Sequence, residues 1–236
     1  MNRMLAVCFL VVTIVAGVGM FAVRQASVRA QNPPMRRGVS VAMAETKNAV
    51  AEPEADGEDA WVVAVTRDGR TYFGTDQVTP KELLDRMMKT PRNRTAKLYI
   101  KADAGAEYES VERVLNLGRQ MAFETQVLLT SQPETGTPGT VVPPKGLEVE
   151  FKSDWHAGPV VAVYYSAQKN VVITVGHDVV PLDAMQSKLQ QLLKDQSVKQ
   201  AMVMPGERVK FGEVAQVIDA CRGAGARVLV DAPSRL

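Results

Sequence analysis

One pattern of residues occurs twice in the sequence, in YESVERVLNLGRQMA (108–122) and in FGEVAQVIDACRGAG (211–225), and the predicted fold follows from this repetition. Seven pairs of positions match at a constant offset of 103, from Tyr108 with Phe211 to Ala122 with Gly225. Apolar residues recur in each stretch every three or four positions, which is typical of a helix that buries one face. Neither copy contains a reactive set of residues, so the sequence predicts a duplicated packing element.

The elements around each helix follow the order β-β-α-β-α-β in both halves of the chain. This order predicts an α+β protein with two small tandem domains at residues 61–132 and 160–236, each with a four-stranded sheet. We expect the helices to bury apolar stripes, which are Leu83, Leu84, Met87 and Met88; Tyr108, Val111, Val114, Leu115, Gly118 and Ala122; and Leu182, Met185, Leu189 and Leu192.

Turn and cap signals mark the ends of these elements. Asp68-Gly69 lies between two apolar runs and predicts a two-residue hairpin turn, because glycine readily takes a positive φ. Lys169-Asn170 takes its place in the second half, where asparagine tolerates the left-handed conformation. The segment 79–82 reads Thr-Pro-Lys-Glu, which has capping-box spacing with proline at the first helical position.

Two stretches outside the repeats have the composition of linkers. Residues 31–60 are rich in Ala, Glu, Pro and Asp, so we expect a mobile, extended tether. Residues 133–159 contain five prolines and several glycines, a density that predicts no helix and at most a short extended piece at LEVEF (147–151). The second stretch is predicted to connect the two domains.

The N-terminal run Met4–Val23 has twenty residues and no charge. As a helix it would span about 30 Å, roughly the hydrocarbon thickness of a bilayer, which favours a membrane anchor within residues 1–30. The alternative is a cleaved signal peptide, because Val28-Arg29-Ala30 places small residues at cleavage-site positions. The length of the run favours the anchor. By the positive-inside rule, the four arginines that follow would place the C-terminal side in the cytoplasm.

Charged residues and histidines form no recognisable catalytic or metal-binding set. The chain has 28 Lys+Arg against 26 Asp+Glu, so it lacks the basic footprint of a nucleic-acid-binding protein. His156 lies in a linker beside Asp154, and His177 lies in a loop before a helix. Neither histidine has partners at metal-ligand spacing, and no serine motif accompanies Asp154 and His156. We therefore predict no catalytic, cofactor-binding or metal-binding residues and no enzyme activity.

Other conspicuous residues have structural explanations. Cys8 and Cys221 lie in apolar surroundings, so we interpret them as packing residues. GAGA (223–226) ends a helix, whereas phosphate-binding loops begin one. Asp103 precedes the first copy of the repeated helix, where an acidic residue is favourable, and Gly206 replaces it in the second repeat.

The first repeat resembles the periplasmic domain of the ExbD/TolR family of biopolymer-transport proteins. The likeness covers about residues 61–131, in the segments VAVTRDGRTYFG, VTPKELLDRM, LYIKADAGAEYESVERVLNLGRQMA and VLLTS. The second repeat, 160–233, is a degenerate copy without the Asp-Gly turn and the Ala-Asp pair. The resemblance implies a single-pass inner-membrane protein with periplasmic C-terminal domains.

Partners are also implied by the resemblance. They are a polytopic ExbB/TolQ-like membrane protein, a TonB- or TolA-like protein, and a second copy of the chain, unless the two repeats form an intramolecular pseudo-dimer instead. Family members couple proton flow through a carboxylate in the membrane helix, and Met4–Val23 contains none, so we do not assign proton coupling.

We therefore expect a membrane-anchored component of a transport or envelope motor complex that acts by protein–protein binding. The alternative is a secreted periplasmic module, released by cleavage near Ala30, that binds peptidoglycan or a soluble partner. Binding is predicted at sheet edges, where backbone donors and acceptors are unpaired. The candidate edge strands are residues 62–66, 71–73, 127–130 and 228–230.

Overall fold

The computed structural model describes residues 38–91, 96–131, 143–150 and 158–230. These residues form a mixed α+β structure with two β-sheets and four α-helices, which confirms the predicted class. No helix within these ranges is long and apolar enough to cross a membrane. The apolar run Met4–Val23, predicted as an anchor, lies outside the described residues.

Residues 38–60 enter the structure ahead of the first repeat, and we call them the covering segment. They contain the strand β1 (Val50–Ala51) and a 3-10 helix (Pro53–Asp56). The segment is followed directly by the first strand of the first repeat.

The first repeat has seven elements in the order β-β-β-α-β-α-β. They are β2 (Trp61–Val65), β3 (Thr71–Phe73), β4 (Asp76–Val78), α1 (Pro80–Lys89), β5 (Leu98–Ala102), α2 (Tyr108–Gln120) and β6 (Gln126–Thr130). The predicted capping box of α1 is confirmed, because Glu82 N–H donates to Thr79 Oγ1 and Thr79 N–H donates to Glu82 Oε2. After β6 the chain forms β7 (Lys145–Val149).

The second repeat contains the same elements in the same order. They are β8 (Val160–Tyr165), β9 (Val171–Val175), β10 (Asp178–Val179), α3 (Leu182–Leu193), β11 (Gln200–Pro205), α4 (Phe211–Gly223) and β12 (Arg227–Val230). Its sheet has the order β10-β9-β8-β11-β12, which matches the part β4-β3-β2-β5-β6 of the first sheet. The three strands on the β6 or β12 side are parallel, and the hairpin strands are antiparallel. The internal likeness therefore extends from two helices to the strand order.

A third hairpin strand in each repeat was missed by the sequence prediction. Gly74 and Gly176 have φ values of 67° and 62° and begin two-residue turns into β4 and β10. Gly-x-Asp occurs at both places, in GTDQV (74–78) and GHDVV (176–180), and this repeated motif could have revealed the extra strands. His177 is the second residue of one such turn and is exposed.

The first hairpin turn of each repeat has three residues, whereas two were predicted. Thr66 N–H donates to Arg70 O at 2.9 Å, which leaves residues 67–69 as the turn, and its third residue, Gly69, has φ 79°. In the second repeat, the left-handed residue is Lys169, with φ 62°, and the predicted Asn170 is not. The position in the turn sets the conformation here, and the residue type only modulates its cost.

The duplicated helices bury their predicted stripes. In α2 the stripe is buried up to Gly118, and Ala122 lies exposed after the helix end with φ 55°. A Cβ on Gly118 would lie 2.6 Å from Leu98 Cδ2, so the glycine permits close contact between α2 and β5. The equivalent residue of α4, Cys221, is also fully buried.

The other two helices differ from the predicted faces. In α1, Leu84 is half-buried and Met88 is 60% exposed, so only Leu83 and Met87 face the core. In α3, Leu182 and Leu192 are exposed, and the buried residues are Met185, Leu189 and Leu193. Both helices therefore bury a narrower stripe than the sequence pattern indicated.

The two repeats share one hydrophobic core instead of two small ones. Its buried residues come from both sheets and from all four helices. Glu107 and Lys210, which are equivalent at the offset of 103, form an antiparallel bridge between the repeats. Backbone hydrogen bonds of 2.8 Å flank this bridge, from Tyr108 N–H to Val209 O and from Phe211 N–H to Ala106 O. The repeats thus meet through equivalent positions.

The predicted connector 133–159 contributes a full strand where only a short extended piece was expected. β7 pairs with β6 over five residues and also with β1. The next residue, Glu150, bridges to Leu229, with its N–H donating to Val228 O at 3.0 Å. Pro143 and Pro144 precede the strand and Gly146 lies within it, yet the pairing is not interrupted. This segment links the first sheet to the last strand of the second.

The covering segment also differs from the expectation of a mobile tether. Ala44, Thr46, Glu52 and Ala55 are buried, and the segment pairs with β7 through β1. The physical reason lies in the first sheet, whose strands are apolar on both faces. The helices cover one face, and burial of the other requires a second layer.

Candidate functional site

Each sheet has an outer face, by which we mean the side away from the helices. On the first sheet this face carries Tyr99, Val127 and Leu129, all at most 6% exposed. They form a separate apolar cluster with Ala55 and with the partly buried Met43, Ala60 and Val62. The covering segment therefore acts as the second layer over this face.

Asp219 of α4 holds the covering segment through its carboxylate. Its oxygens accept hydrogen bonds from Lys47 N–H at 3.0 Å and from Asn48 N–H at 2.7 Å. The side-chain amide of Asn48 donates to the same carboxylate at 3.1 Å. Asp219 is only 7% exposed, so these bonds satisfy a buried charge. A residue of the second repeat thus fixes the layer over the first.

Glu52 makes a second attachment near β5. Its carboxylate is 3.1 Å from Lys97 Nζ, which also lies 3.0 Å from Glu148. Burial alone would lower the pKa of Lys97, but the hydrogen bonds to Glu148 and Glu52 outweigh it and raise the pKa. Burial and the nearby Glu52 charge raise the pKa of Tyr99 to about 12, so this phenol stays protonated at neutral pH.

Asp103 attaches the covering segment at the opposite end of β5. Its carboxylate accepts hydrogen bonds from Ala42 N–H at 3.2 Å and Gly105 N–H at 2.9 Å, and it pairs with Arg67 at 3.2 Å. Burial alone would raise the pKa of Asp103, but these bonds and the arginine charge hold it below its ordinary value. The role predicted from sequence was a helix terminus, and the structure adds the contact to residue 42.

A cavity of about 700 Å³ lies between the covering segment and the outer face of the first sheet. Val62, Ala64 and Leu129 contribute from the sheet, and Met43 and Ala60 contribute from the covering segment. Charged side chains also line it, namely Asp56, Lys101 and Lys145. A volume between roughly 300 and 1,000 Å³ with apolar walls and few polar groups is usual for small-molecule sites.

The outer face of the second sheet is only partly buried, because Met202 and its strand partner Leu229 are 9% and 1% exposed, whereas the part nearer the hairpin is open. Strand alternation puts Tyr164 and Met204 on this face, because Val163 and Val203 point into the core. Both are 40% exposed. Val160 and Ala162 beside them are half-buried. This apolar surface is a candidate for contact with a protein partner.

Most of the predicted edge strands lie inside the sheets. Residues 62–66 and 71–73 have paired strands on both sides, and 127–130 is covered by β7. Residues 228–230 belong to the outermost strand of the second sheet, although Glu150 pairs with part of it. The strand order within the described ranges puts β1, β4 and β10 at the remaining edges.

The other residues discussed from sequence do not come together as a site. Cys221 is fully buried, and burial raises the pKa of its thiol to about 12, which makes it unreactive. Gly206, the equivalent of Asp103, packs against Tyr164. Cys8, Asp154 and His156 lie outside the described residues. Across the ranges the structure describes, no group of three or more Asp, Glu, His or Cys residues is placed to hold a metal ion.

Comparison with protein-family models, with curated proteins and with solved structures finds no match to this chain.

Of the three carboxylates that hold the covering segment, Asp219 and Glu52 were missed by sequence reasoning, and Asp103 was noticed for a different reason. Asp219 lies inside an otherwise apolar helix stripe, and Glu52 lies in a stretch read as a solvated tether. Asp219 was detectable, because an acidic residue between Ile218 and Ala220 interrupts the stripe and is expected to have a buried partner. Its partners, more than 170 positions away in the sequence, gave no local signal.

Proposed function

We propose that this chain is a membrane-anchored periplasmic component of an ExbD/TolR-like transport or envelope motor complex, and that it acts by binding other proteins. The sequence resemblance over residues 61–131 supports the family. The apolar run Met4–Val23 supports the anchor. The ExbB/TolQ-like polytopic protein is the partner we expect first.

The exposed apolar outer face of the second sheet is the observation that carries the binding proposal. Met204 of β11 pairs with Ala162 of β8, so Tyr164, two residues further along β8, is the diagonal neighbour of Met204 on the same face. The equivalent face of the first sheet is buried by the covering segment. A sheet with this strand order can therefore accept a second layer on its outer face. A protein partner would supply the missing layer and bury apolar area, which favours association.

Co-purification from native membranes tests this function. We expect the full chain to co-purify with a polytopic ExbB/TolQ-like protein, and the double change Tyr164→Ser and Met204→Ser to reduce its recovery by roughly tenfold. Met88→Ser is the matched control, because Met88 is 60% exposed on α1, away from this face. Absence of any such partner, or equal loss in both variants, would contradict the proposal.

The anchor is tested by the mature N-terminus and by membrane extraction. An intact N-terminal segment, resistance to carbonate extraction and protease access to the repeats from the periplasmic side are expected. A mature chain that begins at Gln31 would instead identify the secreted periplasmic module.

A further inference from the structure

The side chains along the outer face of β5 differ in how their polar groups are satisfied. Lys97 just before the strand, Tyr99 and Lys101 alternate on this face. Lys97 is paired with Glu52 and Glu148, and the Tyr99 hydroxyl lies 3.5 Å from Glu52. The Lys101 side chain is only partly exposed, and its ammonium group has no hydrogen bond or ion pair to the residues that the structure describes.

Lys101 lies in the wall of the cavity described above, where its neighbours are largely apolar. An ammonium group placed against apolar surface is unfavourable unless water or an anion satisfies it. Met204 occupies the equivalent position in the second repeat, so the strand does not need a charged residue there. The cavity also contains Lys145 and a single carboxylate, Asp56, so its walls carry more positive than negative charge and are suited to an anionic ligand.

The shape of the cavity limits what the ligand can be. Its floor is the face of a sheet, and the strands β2, β5 and β6 are hydrogen-bonded to neighbours on both sides. A peptide could not add to them as a strand and would leave its own backbone groups unpaired against Val62, Ala64 and Leu129. An unbranched apolar chain has no such groups to satisfy.

We propose that this cavity binds a single-chain amphiphile with a carboxylate head, such as a fatty acid. The acyl chain lies between the covering segment and the outer face of the first sheet, in contact with Met43, Ala60 and Leu129. The ε-ammonium group of Lys101 pairs with the carboxylate. The second repeat has methionine at this position and no covering segment among the described residues, so we expect no such site there.

Photolabelling of the full chain in lipid nanodiscs tests the site with a diazirine derivative of dodecanoate as the probe. Mass spectrometry should place the adducts on the covering segment and on the cavity residues of β2 and β6. The outer face of β8 and β11 in the same sample is the internal control. Unlabelled dodecanoate should compete, and dodecanol, which lacks the charge, should compete roughly tenfold less well.

Lys101→Met, which copies the second repeat, should reduce cavity labelling by roughly tenfold through loss of the charged contact. Lys81→Met is the matched control, since Lys81 is exposed on α1. Far-UV circular dichroism and thermal unfolding verify that both variants fold. Equal labelling of the two outer faces, unchanged labelling in Lys101→Met or equal competition by dodecanol would each overturn the proposal. Co-purification with a protein partner is a separate measurement. A negative labelling result would therefore reject the fatty-acid site without rejecting the proposed protein-binding function.

Discussion

The five repeat strands of the first sheet have the same order as the five strands of the second, but the outer faces of the two sheets have different surroundings. Over the first sheet, Tyr99, Val127 and Leu129 are buried beneath the covering segment. Over the second, Tyr164 and Met204 remain 40% exposed. The two repeats thus form similar sheets, and the covering segment over the first sheet distinguishes them. The comparison indicates that two copies of one fold can expose different surfaces when a segment outside the repeat covers only one of them.

The largest expected effect on stability comes from removing the Glu52 carboxylate, one of the three that hold the covering segment. Glu52→Ala leaves Lys97 and Tyr99 without one partner, although Glu148 continues to pair with the lysine. We expect the free energy of unfolding to fall by about 3 kcal/mol. Urea denaturation measures it, with Glu54→Ala as the exposed neighbouring control. Equal midpoints for the two variants would show that this attachment contributes nothing.

Asp219→Asn tests the contact by which the second repeat holds the layer over the first. The change copies Asn116, the equivalent residue of α2, and removes the charge that accepts the Lys47 and Asn48 N–H groups. The free energy of unfolding should fall by about 2 kcal/mol. Asp195→Asn, an identical change at an exposed site, is the control. Faster amide exchange at residues 47 and 48 should accompany the loss, and unchanged exchange there would argue against the contact.

Asp103 makes the attachment of the covering segment pH-dependent. Its pKa is depressed in the folded chain, so its stabilising contribution is present above the ordinary value of 3.8 and is lost as the pH falls through the folded value. At pH 7, Asp103→Asn should reduce the free energy of unfolding by about 1 kcal/mol. The difference between variant and wild type should narrow as the pH falls below 3.8, in unfolding curves recorded at a series of pH values. A difference that does not change with pH would exclude ionisation as the cause.

The smallest effect on stability is expected at the exposed part of the outer face of the second sheet. Met204→Lys places the lysine of the first repeat at a position that is 40% exposed, so the free energy of unfolding should change by at most about 0.5 kcal/mol. Met202→Lys, on the same strand and face but 9% exposed, should cost roughly 2 kcal/mol or more. Similar losses in both variants would indicate that residue 204 is covered in solution.

Local patterns were sufficient to predict the helices and the repeated architecture. The apolar spacing in 108–122 and 211–225 gave α2 and α4 at the right places, and Thr79 with Glu82 gave the start of α1. These features depend on residues within four positions of one another. The predicted stripes of α1 and α3 were less accurate, because packing against the sheet buries only one of neighbouring apolar residues such as Leu192 and Leu193.

Long-range pairing explains what the sequence did not reveal. β1 and β7 are formed by residues whose composition indicates linkers, and their pairing depends on a sheet edge that exists only after the first repeat has folded. The sequence did indicate that both faces of the first sheet are buried, in the consecutive apolar residues of VVAV (62–65), LYI (98–100) and VLL (127–129). In a sheet with one solvent-exposed face, apolar and polar residues would alternate along each strand. The cavity depends on the same second layer and was likewise not predicted.

The bridge between Glu107 and Lys210 has a consequence for how the duplicated halves fit each other. A position that meets its own equivalent would, in an assembly of two identical chains, bring two identical side chains together on the rotation axis. Like charges there would repel. Because both halves belong to one polypeptide, the two positions carry opposite charges, and Lys210 Nζ lies 3.6 Å from Glu107 Oε1. Covalent linkage has thus permitted a complementary junction that strict symmetry forbids.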